Sequence, residues 1–201
     1  MINTIIFDLG AVLIDWNPHY MYRTLFADEQ EMKNFLAEVC TSDWNEEQDA
    51  GRSLQEGTDL LVAQFPQHEA NIRAFYGRWS EMLGEPFYGT VAIFKQLKAS
   101  GKYKIYALTN WSAETFPVAL ERYDFLSWFD GIVVSGTEKM RKPAPEFYQI
   151  LLDRYAVNAG EALFIDDNYR NIVAAEKVGI KSIHFTSAEQ LEAELKDLEV
   201  L

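Results

Sequence analysis

Short apolar runs recur along the 201-residue chain, each the length of a buried strand rather than of a helix. The first is rich in β-branched residues and delivers Asp8 into a glycine-containing turn, in "IIFDLGAVLID". Three more follow at Lys104-Ile105-Tyr106-Ala107-Leu108, Gly131-Ile132-Val133-Val134-Ser135 and Ala162-Leu163-Phe164-Ile165, with a weaker one at Lys181-Ser182-Ile183-His184-Phe185. Between them the pattern predicts helices over Tyr88 to Ser100, Ala113 to Tyr123, Ala144 to Tyr155 and Asn168 to Val178. Strands that alternate with helices imply βαβ units, hence an α/β fold with a mainly parallel sheet, right-handed crossovers and helices on both faces.

The interval from Trp16 to Glu85 breaks this rhythm. It has no convincing strand run, and the spacing of Met32-Phe35-Leu36-Val39 and of Leu60-Leu61-Gln64-Phe65 is helical, so it reads as a helical insertion between the first two core strands. Its hinges are expected near Asp15 to Asn17 and Gly84 to Phe87. The Glu-rich tail from Ser187 to Leu201 reads as a solvated terminal helix.

With 48% hydrophobic residues the chain can bury a real core. A net charge of −13 argues against a nucleic-acid surface, which needs clustered Lys and Arg. The single cysteine, Cys40, leaves no internal disulfide and no four-cysteine zinc site. No segment approaches the ~18 apolar residues that span a bilayer, and no leader pattern opens the chain. The expectation is a cytoplasmic protein with no membrane or nucleic-acid partner and no evident obligate protein partner.

In an open parallel sheet, ligands bind beyond the carboxyl ends of the strands. Asp8 follows the first run, Thr109-Asn110 the second, Lys139-Met140-Arg141-Lys142-Pro143 the third and Asp166-Asp167-Asn168 the fourth. Carboxylates brought together at one rim repel and raise each other's pKa unless a cation compensates. A hard divalent ion with oxygen ligands, Mg²⁺, suits this inventory better than zinc, because His19, His68 and His184 are scattered.

In that order and at fitting intervals, Asp8 in "FDLGAVL", Thr109 in "LTNWS", Lys142 in "RKPAPEFY" and the acidic pair in "FIDDNYRNIVAAEKVGIKS" resemble the four motifs of the haloacid dehalogenase superfamily. The resemblance covers essentially the whole core. It implies a Rossmann-like core of residues 1–15 and 86–201, with a helical cap of residues 16–85 inserted after the first strand. By the same resemblance Asp8 is the nucleophile, attacking phosphorus to give an aspartyl-phosphate that water hydrolyses. Thr109, Asn110, Trp111 and neighbouring backbone N–H groups are expected to hold phosphate and substrate, while Lys142 orients Asp8 and offsets developing charge. Asp8, the Gly10 carbonyl, Asp166 and Asp167 form the expected Mg²⁺ set. Asn171 is assigned to packing or a local hydrogen bond, outside the site.

Phosphatases of this superfamily usually carry a second Asp two residues after the nucleophile, as general acid and base; here that position is Gly10, read as letting the chain turn closely around metal and phosphate. The loss matters, since such catalysis contributes about 10²- to 10⁴-fold. The "DLG", "TN", "RKP" and double-Asp pattern is similar to glucose-1-phosphate phosphatase-like members, whose substrate has a relatively good leaving group; Asp15 and His19 are candidate proton sources. Two alternatives stand beside a sugar-phosphate phosphatase: a metal-free 2-haloacid dehalogenase using the same Asp, and a silent phosphate-binding protein. Trp16, Trp44, Tyr76, Trp79 and Trp111 exceed what a small cap needs for packing, and Asn17, Asn45, Asp49 and Arg52 are polar neighbours able to bond sugar hydroxyls.

Overall fold

Thr4–Phe7 forms β1, and all four of its residues are buried because the strand lies in the middle of a parallel sheet. The computed structural model describes residues 1–201. After β1 come β2 (Ile14–Trp16), α1 (His19–Tyr22), α2 (Glu29–Glu38), α3 (Ser42–Asp49), α4 (Leu54–Gln64), α5 (Glu69–Gly77) and β3 (Leu83–Pro86). The chain then alternates through α6 (Tyr88–Ser100), β4 (Lys104–Thr109), α7 (Phe116–Arg122), β5 (Gly131–Val134) and α8 (Ser135–Glu138). It ends with α9 (Pro145–Arg154), β6 (Ala162–Asp166), α10 (Tyr169–Lys177), β7 (Lys181–His184) and α11 (Ala188–Asp197).

The main sheet runs β5-β4-β1-β6-β7, and every pairing is parallel. Phe7 lies opposite Ala107 on one side and Ile165 on the other, so Asp8, Thr109 and Asp166 emerge together at one carboxyl edge. Alternate residues of each strand feed two apolar layers. Phe7, Ile105 and Leu163 belong to the layer that includes Phe94 of α6, whereas Ile6, Tyr106 and Phe164 pack with Phe147 and Leu151 of α9. Both faces are therefore dry, and the strand ends are the exit from the core.

Between β2 and β3 every regular element is helical. Side-chain caps set where these helices begin: Thr41 Oγ1 accepts from Trp44 N–H at 3.1 Å to start α3, and Ser53 Oγ accepts from Glu56 N–H at 3.2 Å to start α4. Met32, Phe35, Val39 and Leu61 of the helically spaced sets fill the interior of this block with Ile72 and Phe75, whereas Leu60 is 48% exposed.

Two expectations need correction. The interval read as having no convincing strand is bounded by two: β2 and β3 form a two-stranded antiparallel ribbon at the expected hinge segments, with Ile14 opposite Pro86 and Trp16 opposite Leu83. The tail is not merely solvated, since Leu191 and Leu195 of α11 are fully buried and belong to the main apolar cluster; its Glu residues decorate only the outer face.

Candidate active site

At the end of β1 the chain folds back on itself, the Leu9 carbonyl accepting from the N–H groups of Leu13 at 2.8 Å and Ile14 at 2.9 Å. This fixes Asp8, whose Oδ1 accepts from Leu9 N–H at 2.7 Å. The positive φ in this turn, 57°, falls on Ala11, and a Cβ built at Gly10 meets nothing within 4 Å. Within the protein, then, no neighbouring atom requires a glycine at position 10.

Lys142 is the electrostatic centre. Its side chain is fully buried, and Nζ donates to Asp8 Oδ2 at 2.8 Å and to Asp166 Oδ2 at 2.7 Å. Asn110 holds the backbone of Lys142 from both sides: its Nδ2 donates to the Lys142 carbonyl at 3.0 Å, and its Oδ1 accepts from Lys142 N–H at 2.8 Å. Asn110, expected to bind substrate, thus has one donor and one acceptor engaged in positioning the lysine. Asp166 is saturated as well, taking bonds from Lys142, from Asn168 N–H at 2.8 Å and from Asn171 Nδ2 at 3.0 Å. The local hydrogen bond expected of Asn171 is this one: from the first turn of α10 it reaches Asp166, five residues earlier and itself one of the expected site residues.

One carboxylate oxygen from each of Asp8, Asp166 and Asp167 lies within 4.8 Å of the others. Burial pushes the Asp8 carboxyl up to about 8, Asp166 and Asp167 adding to the effect and Lys142 opposing it. Partial desolvation, then the Asp166 charge, raises Asp167. Burial works against the charge on Lys142, but Asp166 and Asp8 outweigh it, and the ammonium titrates above its ordinary range. Thr109, 1% exposed at the end of β4, has a hydroxyl with no hydrogen-bond partner. A buried hydroxyl left unpaired beside a charged cluster suits a ligand oxygen.

The helical block closes over this edge. Glu46 of α3 pairs with Arg141 at 2.7 Å and with Arg170 at 3.0 Å, both from the core. Ser135 Oγ donates to the Asp49 carbonyl at 2.5 Å and accepts from Trp111 N–H at 2.9 Å, tying α3 to the loop after β4. Beneath this contact is a pocket of about 110 Å³, bordered by Gly10, Asn110 and Trp111 of the core and by Asn45, Asp49, Trp16 and Trp79. The indole N–H groups of Trp16 and Trp79 are buried without partners, whereas that of Trp111 donates to Thr115 at 3.1 Å. Trp44 and Tyr76 are packing residues: Trp44 donates to the Gly57 carbonyl at 3.0 Å, and the Tyr76 hydroxyl donates to Asn45 at 2.9 Å. Asn17 Oδ1 accepts from His19 N–H at 3.0 Å and Arg52 bonds Gln48, and neither borders the pocket.

Residues 2–179 match the family described as a hydrolase, haloacid dehalogenase-like. Sesquiterpene phosphatase astK of Aspergillus oryzae is 30% identical over 194 residues, 96% of this chain and 94% of that protein. The haloacid dehalogenase family enzyme bt-2542 of Bacteroides thetaiotaomicron, as its magnesium complex, superposes with a TM-score of 0.74 at 20% identity, covering 97% of this chain and 98% of that one. L-2-haloacid dehalogenase of Xanthobacter autotrophicus, with chloropropionic acid covalently bound, has a TM-score of 0.64 at 16% identity over 100% of this chain and 85% of that one. At such identities the two structures speak for the fold alone, which phosphatases and dehalogenases share. No helix of the chain is long and apolar enough to cross a membrane. With its parallel sheet, its four motifs at one edge and a phosphatase relative along nearly its whole length, the chain belongs to the haloacid dehalogenase-like hydrolase family.

Proposed function

We propose that this hydrolase is a Mg²⁺-dependent phosphatase of small phosphate monoesters, sugar phosphates being the class that best suits its pocket. The observation that carries the reading is the charge count at the β-strand ends. Asp8, Asp166 and Asp167 set three carboxylates around the single ammonium of Lys142, a formal charge of −2 that one divalent cation neutralises. Three clustered oxygens fit a hard cation; Asp8, Asp167 and the Gly10 carbonyl are the residues that would hold it directly, and Asp166, whose oxygens are already engaged, would do so through water. Mg²⁺ bound there shields an anionic nucleophile from an anionic substrate.

The chain's own residues do the rest. Asp8 attacks phosphorus, and Lys142, aligned by Asn110 and Asp166, keeps the attacking carboxylate in place and meets charge on the transferring group. The unpaired Thr109 hydroxyl donates to a phosphate oxygen. Water then cleaves the aspartyl-phosphate and restores Asp8. Residues 16–85 act as a cap on a core of residues 1–15 and 86–201, the Glu46 clasp holding it shut and the β2–β3 ribbon serving as its hinge. The pocket is small beside the ~300–1,000 Å³ of sites that enclose drug-sized ligands. Its indole faces and unpaired N–H donors suit a compact hydroxylated group.

Phosphate release from sugar phosphates and an activated aryl phosphate, with Mg²⁺ and with EDTA, tests the proposal, the Asp8→Asn variant serving as blank. Metal-dependent release lost in the variant is the expected result. Halide release from 2-haloacids that ignores EDTA, with no phosphate release, would replace this reading with a dehalogenase, although the uncompensated carboxylates disfavour a carboxylate substrate.

A further inference from the structure

The pocket under the cap contains a carboxyl group that the four motifs do not use. Asp49, the last residue of α3, is 9% exposed and borders the same pocket as Gly10, the position from which a general acid is missing. A Cβ at position 10 would meet no atom within 4 Å and the position borders the pocket, yet no carboxyl is present there. Asp15 and His19, the sequence candidates for a proton source, do not border the pocket. Asp15 accepts from the Tyr20 hydroxyl and packs against Gly84 on the β2–β3 ribbon, and His19 lies in α1.

Resting on the phosphatase reading, we propose that Asp49 is the general acid and base of this enzyme, supplied by the cap in place of a residue at position 10. Asp49 has no cationic partner at bonding distance; its carboxylate accepts from Asn45 Nδ2 at 3.2 Å. Its position is defined from the core side, where Ser135 grips its carbonyl. The groups that face it are Glu46 on its own helix, Arg141 from the core and the Tyr76 hydroxyl of α5. Burial pushes its carboxyl up to about 7, with Glu46 adding to this and the Ser112 N–H and Arg141 opposing it. Such a group is part protonated at neutral pH, as an acid that later serves as a base must be.

The step balances. As an Asp8 oxygen bonds to phosphorus, the bond from phosphorus to the ester oxygen breaks. That oxygen takes the Asp49 proton and leaves as an alcohol. The Asp49 carboxylate then takes a proton from water while the water oxygen bonds to phosphorus and the Asp8–phosphorus link breaks. Inorganic phosphate, the Asp8 carboxylate and protonated Asp49 result. Because the acid resides in the cap, proton transfer is available only in the closed enzyme.

The test compares kcat/KM of wild type and Asp49→Asn on butyl phosphate and p-nitrophenyl phosphate across pH 5–9, with Mg²⁺. Butyl phosphate has a poor leaving group and no hydroxyl for Asp49 to bind; p-nitrophenolate leaves without a proton. Through the first irreversible step, kcat/KM reports leaving-group departure. The variant is expected to lose about 10²- to 10⁴-fold on the butyl ester and far less on the aryl ester. In the wild type, the alkaline fall in kcat/KM for the butyl ester is expected near pH 7, and to vanish in the variant. Equal losses on both esters, or an unchanged pH profile, overturn the assignment while leaving the phosphatase standing. Aryl phosphate hydrolysis also reports that the variant is folded. Absence of Asp8-dependent release from either ester in the wild type overturns the phosphatase reading and Asp49 with it.

Discussion

Replacing Lys142 by Met should convert the site from a balanced cluster into buried, uncompensated charge. Methionine, unbranched and one atom shorter, keeps most of the side chain beside Phe164, over whose ring Nζ lies 5.5 Å from the centroid, but it removes both ion pairs. Breaking a buried pair by deleting one partner costs about 3–5 kcal/mol, because the remaining charge stays desolvated. The cost depends on pH, and its sign follows from Asp8. In the folded protein this carboxyl titrates at about 8, against 3.8 for the free group. A folded-state value above the unfolded one gives a contribution present in full below about pH 4 and lost as pH rises through 8. Without Lys142 the folded value of Asp8 rises further, each added unit being about 1.4 kcal/mol. Urea unfolding followed by tryptophan fluorescence, in EDTA so that no divalent ion substitutes for the ammonium, should show variant and wild type converging near pH 4–5. They should separate by about 3–5 kcal/mol at pH 8. A gap below about 1 kcal/mol at pH 8, or one that does not change with pH, would refute the view of Lys142 as the counter-ion of the cluster.

The clasp and the open position make two further predictions. Glu46→Gln removes the ion pairs with Arg141 and Arg170; these are partly exposed, so closure should weaken by about 1 kcal/mol and KM rise about fivefold at low salt, with a smaller effect at high salt. An unchanged KM at both salt concentrations would remove the clasp from cap closure. Gly10→Asp, for which the protein leaves space, should raise hydrolysis of alkyl phosphates at least tenfold in an Asp49→Asn background, since a general acid contributes about 10²-fold or more. No recovery by phosphate assay would mean that a carboxyl at position 10 cannot reach the leaving oxygen.

What was legible in the sequence follows from how local each signal is. β1, β4, β5 and β6 are largely continuous apolar runs because a two-sided parallel sheet buries both faces, and the residues after them mark the rim; the edge strand β7 buries only Ile183 and gives a weaker run. The β2–β3 ribbon was not legible: Ile14-Asp15-Trp16 and Leu83-Gly84-Glu85-Pro86 carry no apolar run, and they pair only because the helical block between them returns the chain. For Asn171 a local hydrogen bond was legible but its partner was not, since Asp166 lies across a turn rather than one helical step away. Asn45 and Asp49 were visible as polar cap residues, but their four-residue spacing says only that they share a face of α3. That this face closes over Gly10 depends on Ser135, Arg141 and Arg170, which lie some 90 to 120 residues away in the chain.

The central claim, covalent catalysis at Asp8, can be tested by acid-quenching the enzyme during turnover of a rapidly hydrolysed phosphate ester. Mass spectrometry of the peptide containing Asp8 would follow. A phosphoryl group on Asp8 that appears before the steady state, decays when substrate is exhausted and is absent from Asp8→Asn is the predicted result. Full phosphate release by Asp8→Asn, or an adduct on a different residue, would contradict the account.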